Sequence, residues 1–108
     1  MIKMTLFTKS EQMIGFKMSG HAGFDAYGKD IVCAAASVLA INTVNAIETF
    51  THDKFDCTVK EKEGQLQFRI ISNVSEQSEL LLNALRLGII GIEQQYGNDY
   101  ININIEEV

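Results

Sequence analysis

The sequence predicts an α+β fold: two layers, a mixed β-sheet of about five strands and two helices, in the order ββαββαβ. Three observations lead there. Five short segments alternate apolar and polar residues, which is the period of a half-buried strand. Two longer segments change to helical spacing. The chain has no proline, so turns fall to Gly, Asn, Asp and Ser. At 108 residues one domain spanning 1–108 is expected.

The elements follow in order. The first strand covers about residues 2–7, with Ile2, Met4 and Leu6 on one face. The second covers about 13–18, with Ile14, Phe16 and Met18 aligned, and Lys9-Ser10-Glu11-Gln12 forms the hairpin loop between them. The first helix covers about 31–50, with Asp30 as its N-cap acceptor. Its apolar residues Val38, Leu39, Ile41, Val44, Ala46, Ile47 and Phe50 exceed one narrow stripe. Such a helix is either deeply buried or shared with a second subunit. A third strand carries Phe55, Cys57 and Val59, and a fourth carries Leu66, Phe68 and Ile70, with a turn near Glu63-Gly64. The second helix covers about 75–96. Ser75 caps it, Glu76 and Glu79 complement its dipole, and Gly97 ends it. Leu81, Leu82, Leu85, Ile89, Ile92 and Tyr96 form its buried face, and Gly88 and Gly91 leave room for a neighbour. The fifth strand alternates Ile101, Ile103 and Ile105 with Asn102 and Asn104. One polar face per strand implies a sheet covered on one side.

Composition narrows the function. A hydrophobic share of 46% argues against disorder. No uninterrupted apolar run approaches the ~18 residues that cross a bilayer, and the first residues alternate instead of forming a signal block. Cytoplasmic residence and no membrane partner are therefore expected. A net charge of −5 argues against a direct nucleic-acid surface and suits a basic protein partner. Two cysteines give no disulfide framework, and no cluster has metal-ligand spacing. No metal and no cofactor are expected.

The chemistry concentrates between Gly20 and Ser37. Cys33 stands where a glycine-rich loop becomes a helix, and His21 lies in the same segment. A thiol in a first helical turn meets unpaired N–H groups and the positive dipole end, which favour thiolate. Cys33 is read either as a small buried residue or as a nucleophile that His21 activates. Asp30 is a cap that could also orient His21, with Asp25 as the competing orienter. Ser37 lies one turn after Cys33 on the same face and either packs or donates near the site. The loop residues Gly20, Ala22, Gly23, Tyr27, Gly28 and Lys29 are candidates to meet substrate. His52 and Cys57 read as structural, the latter as core.

Gly20-His21-Ala22, a glycine-containing loop, then Gly28-Lys29-Asp30-Ile31-Val32-Cys33-Ala34-Ala35-Ala36-Ser37 closely resembles the bacterial ribosomal-processing cysteine proteases, the Prp family. Length and element order agree along essentially the whole chain. The resemblance implies a homodimeric cysteine endopeptidase that removes the N-terminal extension of a large-subunit ribosomal protein. It implies a cut after an apolar segment ending in paired phenylalanines. It makes Cys33 the nucleophile and His21 the general base, with Asp30 and Ser37 as supporting polar residues and a loop that closes over bound peptide. The alternative is a non-enzymatic dimeric module that binds an anion or peptide at the glycine-rich loop and helix N-terminus.

Overall fold

The structure, a computed structural model, describes residues 1–20 and 27–108, with side chains for 1–20 and 31–108. Its elements are β1 (Ile2–Lys9), β2 (Gln12–Ser19), α1 (Tyr27–Phe50), β3 (Phe55–Lys60), β4 (Gln65–Ile70), α2 (Glu76–Tyr96) and β5 (Ile101–Glu107). A short 3-10 turn, Glu61–Glu63, joins β3 to β4. The strands form one sheet in the order β3-β4-β2-β1-β5. Only the β1–β5 pair is parallel, as a crossover through a helix requires. The expected mixed sheet and ββαββαβ order are therefore present.

The alternation in the sequence becomes one packed face. Ile2, Met4 and Leu6 of β1, Phe16 and Met18 of β2, and Leu66, Phe68 and Ile70 of β4 are all buried. Phe68 packs its ring against both Phe16 and Phe55, with centroids 5.7 and 4.9 Å away. Both helices close over this face. α1 contributes Val32, Ala36, Ala40 and Ile47, and α2 contributes Leu82, Leu85, Ile89 and Ile92. The spacings of three, four and seven residues lay each set along one stripe. Gly88 leaves the room expected of it: a Cβ there would lie 2.8 Å from Leu39 Cδ1, so α1 seats a leucine on α2. Gly91 has nothing within 4 Å and plays no such part.

Three local features depart from expectation. The β1–β2 hairpin is tighter than a four-residue loop, because Lys9 already pairs with Gln12. Ser10 and Glu11 both take positive φ, 52° and 67°. Two-residue hairpins need that geometry to match strand twist, and glycine or asparagine usually supplies it. A bulge between Phe7 and Thr8 then shifts the register. The opposite face is not wholly polar either, since Phe7 is buried under the Arg69 guanidinium, 4.5 Å above its ring. Gly15 pairs with both residues and lies between them. Without a side chain it lets the arginine reach across, and a Cβ there would strike the Phe68 carbonyl.

The helices do not reach the sheet edges. Val59 of β3 and Ile105 of β5 are 60% and 58% exposed although they alternate like core residues. Cys57, read as core, is exposed for the same reason. Two helix axes about 8–10 Å apart cover the middle of a sheet whose edge strands lie about 19 Å from each other. Residues Ile31–Phe50 of α1 are long and apolar enough to cross a membrane by length and composition, contrary to the reading from uninterrupted runs. Here α1 instead lays its Val32–Ile47 stripe into the core and exposes Val38, Ile41 and Phe50.

Candidate active site

β2 delivers the chain to the site. Its last residues lie between β1 and β4, and Gly20 follows with φ of +86°. A Cβ at Gly20 would sit 2.3 Å from the Met1 carbonyl oxygen. The glycine is thus needed twice, for the backbone angle and for the close pass of the N-terminal strand. His21, Ala22, Gly23 and Asp25 lie outside the described residues.

α1 begins at Tyr27, four residues earlier than the sequence suggests. Tyr27, Gly28, Lys29 and Asp30 form its first turn, so Asp30 is a helical residue and not the N-cap. The alanine-rich sequence after Asp30 propagates the helix backward as well as forward, because propensity favours adding a turn to an existing helix. Cys33 accordingly stands in the second turn. The unsatisfied N–H groups of this end belong to residues 27–30, while the Cys33 amide lies within the helical ladder. The dipole field at its sulfur is therefore weaker than in a first turn.

Cys33 is half-buried and packs against the core. Ser37 is half-buried one turn on, and Ile41, another turn on, is 53% exposed. The three form a row along the flank of α1 that turns towards β3. Beneath Ser37 and Ile41 lies a cavity of about 200 Å³, lined also by Met18, Val59, Leu66, Gln65 and Glu61. The structure thus brings Cys33 and Ser37 together on one helix face and places an apolar recess beside them. Met18, Ile41, Val59 and Leu66 were read from the sequence only as strand and helix apolar residues. The one signal that could have marked them is Val59, a strand-patterned residue on what proves to be a sheet edge. A larger cavity, about 590 Å³, lies at the far end of β2 and β4, between Lys9, Gln12, Arg69 and Asn73, away from Cys33.

The second cysteine has different surroundings. Partial desolvation pushes the Cys57 thiol pKa up, and the Glu48 carboxylate pushes it further. Cys57 therefore stays a thiol at neutral pH and is a poor nucleophile. Among the described residues no three His, Cys, Asp or Glu side chains are grouped to hold a metal ion.

Comparison with known proteins matches this arrangement to one family. The family model described as Cysteine protease Prp matches residues 1–102. A ribosomal processing cysteine protease Prp of Staphylococcus aureus is 33% identical over 87 residues, covering 81% of each chain. A crystal structure of the essential ribosomal processing protease Prp from S. aureus, in complex with a substrate peptide, superposes with a TM-score of 0.90 at 29% identity. It covers 98% of this chain and 100% of that one. A second S. aureus structure, with a covalently linked product peptide, superposes with a TM-score of 0.86 at 30% identity, over 98% of this chain and 100% of that one.

Proposed function

We propose, for a chain that belongs to the cysteine protease Prp family and is an enzyme of that class, the processing of a ribosomal-protein extension through Cys33 and His21. The substrate is an apolar N-terminal extension of a large-subunit ribosomal protein, cut after paired phenylalanines. The reaction takes place in the cytoplasm, on a homodimer. The observation that carries the reading is the Cys33–Ser37–Ile41 row, which sets a sulfur one helical turn from an apolar recess at the end of β2. The covalently linked product peptide on the S. aureus relative supports attack by a thiol.

The steps use thiol chemistry. His21 takes the Cys33 proton. The sulfur attacks the scissile carbonyl carbon, and backbone N–H groups stabilise the resulting oxyanion. Collapse of this intermediate breaks the C–N bond, and imidazolium returns the proton to the departing amine. Water, deprotonated by His21, attacks the thioester and releases the acid and the thiol. Asp30 and Ser37 support these groups as polar neighbours, and Gly20, Ala22 and Gly23 together with the first-turn residues Tyr27, Gly28 and Lys29 line the peptide's approach. A net charge of −5 draws a basic ribosomal protein towards the site.

The test is incubation with a peptide containing paired phenylalanines, with product masses locating the cut. Cys33→Ala is expected to abolish cleavage with the fold retained by circular dichroism, and His21→Ala to lower kcat at least about 1,000-fold. A folded Cys33→Ala protein that still cuts the peptide overturns the assignment.

A further inference from the structure

We propose that the cavity at the far end of β2 and β4 binds a small organic acid, a carboxylate head on a short apolar body. The site is independent of the peptidase reading, since Cys33 does not line this cavity. Its volume, about 590 Å³, is within the range of pockets that hold small ligands. Two cations, Lys9 and Arg69, line it. The Arg69 Nε is buried, and among the described residues, Val108 in the cavity wall included, nothing accepts its hydrogen. A desolvated donor on a cation is costly when left unpaired. Asp56 stands opposite Arg69 on β3, yet it does not accept from Nε. The acids bonded to cavity residues serve other donors. Glu107 accepts from the Ser10 amide and the Thr8 hydroxyl, and Glu79 from the Gln12 side-chain amide.

The guanidinium is held in place. Its central carbon lies 4.5 Å above the Phe7 ring, and Gly15 leaves the room for it to cross there. A fixed planar fork with an unused donor matches the paired oxygens of a carboxylate. The exposed Lys9 adds a second positive charge. Glu107 and Glu79 limit the charge of the ligand, because they repel a dianion such as a phosphate ester more than a monoanion. The rest of the wall includes Ile14, Ile70, Val74 and Ile71, the last 59% exposed. Hydrocarbon carried by the acid would cover that surface and remove it from water.

The experiment is isothermal titration calorimetry on the full chain with hexanoate, N-acetylleucine, acetate, hexanamide and inorganic phosphate. Hexanoate and N-acetylleucine should bind at one site, and the tighter of them tells whether it takes a free acid or a peptide C-terminus. Acetate, without the body, and hexanamide, without the charge, should each bind at least about 10-fold more weakly than hexanoate. Arg69→Met keeps an apolar cover on Phe7 and removes the fork, and should weaken hexanoate at least about 10-fold. Lys9→Gln, at an exposed position, should weaken it about 3-fold. Ile71→Ser should weaken hexanoate and leave acetate unchanged, which a purely structural role would not do. If Arg69→Met fails to fold, the two exposed variants carry the same test. Hexanoate bound alike by the wild type and all folded variants overturns the site, as does a wild type that binds neither acid. Phosphate bound more tightly than hexanoate overturns the carboxylate assignment.

Discussion

Gly20 joins stability to the site in one residue. Its φ of +86° and the Met1 carbonyl beside it leave no place for a Cβ. The Gly20→Ala protein must carry the left-handed strain of about 1–2 kcal/mol and also displace the N-terminal strand. We expect at least about 2 kcal/mol lost in urea unfolding, with a shift in cleavage that exceeds what unfolded protein explains. An alanine variant as stable as the wild type would show that the backbone relaxes elsewhere. Cys33 offers the contrasting case at this scale. The order of the Gly20–Ser37 segment singles Cys33 out in the sequence as the proposed nucleophile, with His21 as its proposed base. The place of Cys33 in the second helical turn is not legible there, because alanine-rich sequence carries no marker of where a helix begins.

At the scale of elements, α2 was legible from end to end. Ser75 accepts from the Ser78 amide at 3.1 Å, and the Gly97 amide donates to the Glu93 carbonyl at 2.8 Å. Capping chemistry is local, so sequence carries it. The first hairpin was not legible to the same degree. Ser10 and Glu11 do not announce a turn with two positive φ values, and its support comes from far along the chain. Glu107 accepts from the Thr8 hydroxyl at 2.8 Å and from the Ser10 amide at 3.1 Å. The strain at Glu11 predicts that Glu11→Gly raises stability by about 0.5–1 kcal/mol in denaturant unfolding, because glycine adopts that angle without cost from a Cβ. No gain would mean that the Glu11 side chain supplies an offsetting contact.

At the scale of the whole molecule, Asp53 ties the start of β3 to the start of α2. Its Oδ2 accepts from the Ser75 amide at 2.9 Å and the Ser75 hydroxyl at 2.8 Å. Burial pushes the carboxyl pKa up, but the Ser78 hydroxyl facing it, the two Ser75 bonds and the nearby His52 outweigh that and leave it lowered. A carboxylate held below its unfolded-state pKa stabilises the fold above about pH 4 and ceases to do so as pH falls through the folded value. The wild type should therefore lose stability on acidification below about pH 4, and Asp53→Asn should show a shallower acid limb in urea titrations. Equal limbs would assign the acid sensitivity to other carboxylates.

The sequence by itself determined the strands, the existence of both helices and the cap of α2, because periodicity and capping are local properties of neighbouring residues. The tertiary structure decided which strands became edges and which apolar residues stayed uncovered. Val59, Cys57 and Ile105 alternate as Phe68 does, yet only Phe68 lies under the helices. Strand order and the width of the helical layer arise from contacts between segments distant in the chain. The recess beside Cys33 exists only because α1 stops short of β3, a fact of packing that periodicity cannot express.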